Sequence, residues 1–229
     1  MITLDRLGVG RPVPFGPRDD RSSIATRRAT AGPVMAASTG LAGDEVGDPR
    51  LHGGIDKAIH HYPAAHYAAW AADLPDLAGR FTPGAFGENF SAAGLTEADV
   101  CLGDRYRVGG ALLELSQSRQ PCWKLNHHFG VRDMARRVQA TGRTGWYWRV
   151  IEGGAVAVGD TFMPIARPHP GWTLARVQHL LYVDTLDRDA LAEFLALPGL
   201  TPSWQRLAAR RLETAVVEDW SGRLDGQSR

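Results

Sequence analysis

The most informative stretch of the chain is DRYRVGGALLELSQSRQPCWKLN, residues 104–126. Apolar residues alternate with polar ones on both sides of Gly109-Gly110, which predicts a β-hairpin with a two-residue turn. The second strand of this hairpin runs into a polar segment, residues 116–126, that contains Cys122. Scaffolds commonly present binding residues where a strand ends, so we expect this segment to carry chemistry.

The rest of the first 168 residues has short strand-like runs broken by Gly, Pro and Asp. A second strand pair is predicted at 145–151 and 155–165, joined across Gly153-Gly154. Two helices interrupt the strands. One begins at Pro63 and repeats apolar residues at spacings of three and four, and the other covers 131–140.

The sequence pattern changes after Pro168 from strand-like to helical, and it predicts three consecutive helices. Thr173, Asp187 and Ser203 are the predicted N-caps of helices over 174–182, 188–196 and 204–213. We therefore expect an α+β fold, mostly β, in which a β-rich domain over 1–168 is followed by a three-helix domain over 172–229.

Composition excludes several classes of partner. The 229 residues include 26 basic and 25 acidic side chains, so no general field attracts nucleic acid or an anionic membrane. No stretch approaches the roughly 18 apolar residues of a membrane span, and the start lacks the apolar core of a signal peptide. Two cysteines do not make a disulfide framework, so we expect a reducing compartment, the cytoplasm. Nothing in the sequence fixes the oligomeric state.

Cys122 is the strongest candidate for chemistry. Arg119 and Lys124 flank it, and no carboxylate occurs between residues 115 and 132. Neighbouring cations favour the thiolate, which is the form that attacks or ligates a metal. The alternative is a buried structural cysteine, the more common fate of a free thiol. Cys101, apolar on both sides, is predicted to have that packing role.

A second polar segment, RLHGGIDKAIHHY, occupies residues 50–62. Its two glycines permit close backbone approach to a ligand, and Arg50, His52 and Lys57 could hold an anion such as phosphate. The alternative is a turn with solvated charges. The chain has only two lysines, Lys57 and Lys124, and they fall in the two polar segments.

Two other segments carry weaker signals. Glycines around Glu88-Asn89 predict a loop that points polar groups inward, with a plain turn as the alternative. His60-His61 and His127-His128 invite a zinc hypothesis, but adjacent histidines point in different directions on a strand. No CxxC or HExxH spacing supports zinc either.

Taken together, these motifs resemble the signature of the MOSC domain, named after the C-terminal domain of molybdenum cofactor sulfurases. The matching elements, in order, are His52-Gly53-Gly54 with Asp56-Lys57-Ala58, Gly87-Glu88-Asn89, and Ser116-Gln117 through Arg119, Pro121-Cys122 and Lys124-Leu125. The likeness is greatest to the bacterial YiiM-like subgroup and includes its C-terminal 3-alpha domain. Ser118 departs from the pattern, because a proline is frequent there.

The resemblance implies a β-barrel-like fold that binds the molybdopterin form of the molybdenum cofactor, with Cys122 as the metal ligand. The residues that it implies for holding the pterin and its phosphate are Arg50, His52, Lys57, Asn89, Ser116, Arg119 and Lys124. Similar proteins reduce N-hydroxylated substrates, including hydroxylamino base analogues, with electrons from separate redox proteins. We therefore expect a small-molecule substrate and a separate electron donor.

Two other functions stay open at this point. Kinship with sulfurases favours a sulfur-carrier or cofactor-delivery protein that bears a persulfide on Cys122. A non-enzymatic assembly module would instead use the C-terminal helices, whose predicted exposed face contains Arg206, Arg210 and Arg211, to dock a redox partner. An ordinary solvated helix face is the simpler interpretation of those arginines.

Overall fold

The computed structural model describes residues 1–16 and 20–226. The strands are β1 (Arg6–Val9), β2 (Val13–Pro14), β3 (Arg21–Ser22), β4 (Arg28–Ala29), β5 (Val34–Ala37), β6 (Gly40–Leu41), β7 (Ile59–Pro63), β8 (Phe90–Ala92), β9 (Arg105–Val108), β10 (Ala111–Ser118), β11 (Trp146–Glu152), β12 (Gly154–Val156) and β13 (Met163–Ala166). The α-helices are α1 (Pro49–His52), α2 (Ala65–Asp73), α3 (Lys124–Phe129), α4 (Met134–Thr141), α5 (Leu174–Tyr182), α6 (Arg188–Leu195), α7 (Pro202–Thr214) and α8 (Ser221–Asp225). Short 3₁₀ helices cover Ile55–Lys57 and Pro75–Arg80.

The central element is an eight-stranded sheet in the order β13-β9-β10-β11-β7-β8-β1-β4. Neighbouring strands are antiparallel except for the parallel pair β7 and β8. The two ends of the sheet approach each other, because Leu4 N donates to Asp160 O over 2.8 Å and Phe162 N donates to Ile2 O over 2.9 Å. The sheet is therefore curled into a half-barrel, and the α+β fold class is confirmed.

The predicted hairpin is confirmed, since Val108 of β9 pairs with Ala111 of β10 across the two glycines. The predicted pairing of 145–151 with 155–165 is wrong. β11 pairs with β10 and β7, whereas β12 pairs with β5 and β13 pairs with β9. At Gly154 a Cβ atom would lie 2.2 Å from the carbonyl carbon of Gly110. The chain therefore crosses the β9–β10 turn here instead of folding back on β11.

Helix prediction succeeded where local signals are strong. Thr173 and Asp187 cap α5 and α6 by accepting hydrogen bonds from backbone N–H groups of the first turn. Ser203 is not the cap of α7, because that helix begins earlier: Thr201 precedes it and Pro202 occupies its first position. Proline fits there because its fixed φ suits the first helical turn. The short helices α1, α3 and α8 were not predicted.

The C-terminal helices share their core with the sheet. Phe194 and Trp204 belong to the same buried cluster as Trp146 and Trp148 of β11. α8 returns to the first domain, where Leu224 is buried and its carbonyl accepts a hydrogen bond from the Asn126 side chain of α3. Among the helices in the described part of the chain, none combines the length and apolar character that crossing a bilayer requires.

Candidate functional site

Cys122 lies between two cavities. The inner cavity is formed where the end of β10, the start of α3, the end of α1 and the strand β7 meet, and Cys122, His52, Lys57, Arg119 and Lys124 all line it. Cys122 is partly exposed. The structure thus brings residues of the two polar segments together around a partly exposed thiol.

The side chain of His52 lies within hydrogen-bonding distance of the Cys122 thiol. Its Nε2 lies 3.6 Å from Cys122 Sγ. The pKa of His52 is lowered to about 4, chiefly because burial penalises the imidazolium and then because Lys124, Lys57 and Arg119 are near. His52 is therefore neutral near pH 7 and can hydrogen bond to the sulfur without adding charge.

The backbone of the HGG motif positions His52 and Lys57 beside the cavity. Asp48 caps α1 by accepting hydrogen bonds from Arg50 N and Leu51 N. Gly54 follows α1 with a φ of 96°, a conformation that disfavours any residue with a Cβ. The chain then enters the 3₁₀ turn that carries Lys57, whose Nζ donates to Leu51 O over 2.5 Å. Burial lowers the pKa of Lys57.

Arg119 contributes a buried cation whose hydrogen bonds are incomplete. Its backbone N donates to Gly145 O over 2.9 Å, which holds the residue beside the start of β11. The residue is only 7% exposed, and its Nη1 atom has no hydrogen-bond partner among the described residues. The same holds for Nε2 of His60, which also lines this cavity. Buried polar atoms rarely stay unpaired, so this cavity is suited to a polar or anionic ligand.

Three predicted residues have different positions from the rest. Arg50 lines the outer cavity rather than the inner one. Asn89 lines the inner cavity, but its amide oxygen accepts from His60 N over 3.0 Å and its amide nitrogen donates to Gly8 O over 3.0 Å. Ser116 is turned away from both, because its hydroxyl bonds to the carbonyl oxygens of Asp56 and Tyr147. The structure thus gives Asn89 and Ser116 hydrogen bonds that hold strands and turns together.

The outer cavity has a volume of about 500 Å³ and shares Cys122, His52, Lys57 and Tyr147 with the inner one. Its other wall comes from the C-terminal helices, which contribute Ser203 and Arg206 of α7 and Gly222 and Arg223 of α8. A molecule in either cavity can therefore reach the thiol.

Helix α8 also supports the cysteine loop. Trp123 N donates to Arg223 O over 2.8 Å, and Arg223 Nη1 donates to Pro121 O over 2.5 Å. At Gly226 a Cβ atom would lie 2.9 Å from the indole of Trp123, so a bare backbone is needed there. The two residues that flank Cys122 are thus both anchored by the last described helix.

Sequence reasoning missed part of the inner wall. Arg21, Ser22, Ser23 and Arg27 line the cavity, and Arg21 O accepts a hydrogen bond from Lys124 Nζ over 2.8 Å. Arg27 pairs with Asp44 over 2.8 Å. The only available signal was the run RSSIATR at residues 21–27, which has no spacing typical of a known site.

The remaining thiol and histidines behave differently. Cys101 is fully buried, as predicted, and burial raises its pKa. His60 and His61 point to opposite faces of β7, His60 towards the cavity and His61 against the ring of Trp146. Within residues 1–16 and 20–226, no three His, Cys, Asp or Glu side chains form a group that could hold a metal ion.

Comparison with known proteins agrees with this architecture. Residues 48–163 match the MOSC domain, and residues 172–215 match the YiiM-like, 3-alpha helix domain. The chain is 39% identical over 209 residues to Protein YiiM of Escherichia coli (strain K12), covering 91% of this chain and 93% of that protein. It is 37% identical over 185 residues to a Gibberella moniliformis protein named Reductase, covering 80% of this chain but 33% of the fungal protein.

Solved structures extend the match to three dimensions. The crystal structure of YiiM from Escherichia coli superimposes with a TM-score of 0.83 at 33% identity, covering 98% of each chain. That of YiiM from Geobacillus stearothermophilus gives a TM-score of 0.78 at 32% identity, covering 93% of this chain and 100% of the other. The chain therefore belongs to the MOSC domain family, in its YiiM-like branch with a C-terminal 3-alpha domain.

Proposed function

We propose that this MOSC-family chain binds the molybdopterin form of the molybdenum cofactor through Cys122 and reduces N-hydroxylated small molecules. The observation that carries the proposal is the partly exposed Cys122 thiol, 3.6 Å from His52 Nε2, in a cavity whose buried Arg119 has a nitrogen without a partner among the described residues. The fungal relative named Reductase supports the reductase class.

The inner cavity fits such a cofactor in charge. Molybdopterin carries a phosphate and a dithiolene, so it is an anion. Lys57, Arg119 and Lys124 provide cations, and none of the described residues that line the cavity is acidic. The dithiolene provides sulfur ligands of its own. A single protein thiolate, that of Cys122, is then enough to complete the protein's share of the coordination.

The reaction converts R–NHOH, two electrons and two protons into R–NH₂ and water, with the electrons coming from a separate redox protein. The bound cofactor would supply the two-electron chemistry at the N–O bond. The chain's own residues bind and orient. Lys57 lines both cavities, so a proton held on its Nζ atom is within reach of a molecule in either. Neutral His52 constrains the thiol through the 3.6 Å contact.

The test uses natively purified protein beside two matched variants, Cys122→Ala and Cys101→Ala. We expect the parent and Cys101→Ala to contain molybdenum, measured by mass spectrometry of the metal, and to reduce 6-hydroxylaminopurine with a flavin or iron–sulfur donor. Cys122→Ala should lose at least about a hundredfold in rate, because the thiolate is the protein's contact with the metal. Molybdenum binding without reduction of any N-hydroxylated compound would remove the reductase proposal.

The accessible thiol also favours a second candidate, a sulfur carrier with a persulfide on Cys122. Mass spectrometry of the intact protein separates the two functions. A stable addition of one sulfur atom that Cys122→Ala abolishes and Cys101→Ala retains would favour the carrier. An unmodified thiol in active protein would favour the reductase.

A further inference from the structure

The outer cavity has the composition of an anion-binding site. Within residues 1–16 and 20–226, four lysine or arginine side chains line it, Arg50, Lys57, Arg206 and Arg223, and no acidic residue does. Elsewhere arginines are commonly neutralised, as Arg149 is by Asp56 and Glu114 and Arg211 is by Glu218. A chain with a net charge of only +1 thus concentrates unbalanced positive charge beside Cys122.

Two of these cations are free to bind a ligand. The guanidinium groups of Arg50 and Arg206 make no hydrogen bond or ion pair with another described residue, and both residues are exposed. Arg223 is occupied with Pro121 O and Gln139 Oε1, and Lys57 with Leu51 O. Guanidinium groups suit phosphate because they donate two parallel hydrogen bonds.

The rest of the lining suits a planar heterocycle. Trp123 and Tyr147 contribute aromatic rings, and Gln117 and Gln120 contribute amides that can both donate and accept hydrogen bonds. The volume of about 500 Å³ lies within the usual range for a small-molecule site. A phosphate between Arg50 and Arg206 and a base on the Cys122 side would use both features of the cavity.

We propose that the outer cavity binds N-hydroxylated bases in their phosphorylated, nucleotide form, with Arg50 and Arg206 as the phosphate contacts. The identity of the reacting group rests on the proposed function, whereas the phosphate site does not depend on it. The proposal assigns a role to the C-terminal helices: α7 supplies Arg206, so the 3-alpha domain selects the substrate. The inner cavity, with Arg119 and Lys124, is left to the cofactor.

Equilibrium binding tests the phosphate site without turnover. Adenosine 5′-monophosphate and adenosine are titrated by calorimetry into the full chain, into Arg206→Gln and into Arg210→Gln, whose exposed arginine lies on the same helix outside the cavity. We expect the nucleotide to bind the parent more tightly than the nucleoside. Arg206→Gln should weaken nucleotide binding at least about tenfold, since a charged hydrogen bond is lost, and leave adenosine unchanged. Arg210→Gln should match the parent.

The proposal is overturned if nucleotide and nucleoside bind alike, or if Arg206→Gln and Arg210→Gln have equal effects. It is also overturned if loading with cofactor abolishes nucleotide binding, because the outer cations would then hold the cofactor's own phosphate. The kinetic counterpart is kcat/KM for 6-hydroxylaminopurine and for its ribonucleotide, with a preference for the ribonucleotide that Arg206→Gln removes. Arg206-dependent nucleotide binding without any reduction would instead refute the reductase and leave this site standing.

Discussion

Cysteine and histidine occur both in the cavity around Cys122 and in the apolar core, but their surroundings differ between the two regions. Cys122 is partly exposed among cations, whereas Cys101 is fully buried with apolar neighbours in sequence. His60 and His61 divide in the same way: His60 lines the inner cavity and His61 is stacked on Trp146 with ring centroids 4.3 Å apart. Residue type alone therefore does not define a site. Charge and access around the residue do.

A further difference concerns unpaired polar atoms. In the core, His61 Nδ1 accepts a hydrogen bond from Trp148 Nε1 over 3.4 Å, whereas its Nε2 has no partner among the described residues, and burial keeps this ring neutral. In the cavity, Arg119 Nη1 carries positive charge with no partner among the described residues. An unpaired neutral nitrogen costs about 1–3 kcal/mol and an unpaired charge costs more, so the cavity is the place where the fold gives up stability in favour of binding.

The largest expected effect is in thiol reactivity. We expect iodoacetamide to alkylate Cys122 at least about a hundredfold faster than Cys101, because burial both blocks access to Cys101 and raises its pKa. Peptide mass spectrometry after timed quenching measures the two rates. The ratio of the alkylation rate with anionic iodoacetate to that with neutral iodoacetamide should be higher at Cys122 than for a free thiol, because the surrounding cations attract the anion.

Unfolding in denaturant is the control for this comparison and should make the two cysteines react at similar rates. Equal rates in the folded protein would break the distinction between the two regions. An iodoacetate preference no larger than that of glutathione would show that the cations do not act on the thiol.

The fold was predictable where the signals are local. The two glycines at 109–110 defined the β9–β10 hairpin, and the caps Thr173 and Asp187 defined two C-terminal helices. Strand partners were not predictable in the same way, because β12 pairs with β5 more than a hundred residues earlier in the chain. Periodicity reports which residues face a core but not which strand lies alongside.

The site was predictable only in part, for a related reason. Cys122, His52, Lys57, Arg119 and Lys124 lie in two motifs of recognisable composition, and the structure brings them together. The wall at 21–27 lies on short strands and turns with no motif. Arg211, predicted to lie on an exposed helix face, is in fact 1% exposed and bonded to Glu218, Leu180 and Leu181. Sequence spacing does not reveal which face of a helix is covered by a returning segment.

A smaller effect is expected from Arg119→Met, which removes the cation and keeps the approximate length. Without ligand, the variant should be as stable as the parent or more stable by up to about 1 kcal/mol, because an unpaired buried donor is lost. Its affinity for molybdopterin, followed by quenching of tryptophan fluorescence, should fall about tenfold or more. Arg105→Met, which breaks a surface ion pair with Glu114, is the matched control.

The opposite pattern for Arg119→Met would be informative. A loss of more than about 2 kcal/mol of stability with unchanged molybdopterin affinity would make Arg119 a structural residue, and the cavity would then resemble the core.

The smallest effect concerns the core histidine. Burial lowers the pKa of His61 to about 3, below the value of about 6.5 for an exposed histidine. Between these values the unfolded chain binds a proton at this position and the folded chain does not, so stability falls as pH falls through that window. From pH 7 to pH 5.5 this amounts to about 1 kcal/mol.

His61→Phe, which keeps a ring against Trp146, should reduce the pH dependence of the free energy of unfolding by that amount. Chemical denaturation at the two pH values measures it, and the exposed His127→Phe separates burial from the mere loss of one histidine. An unchanged slope in His61→Phe would mean that the folded protein protonates this ring, and the core would then tolerate charge much as the cavity does.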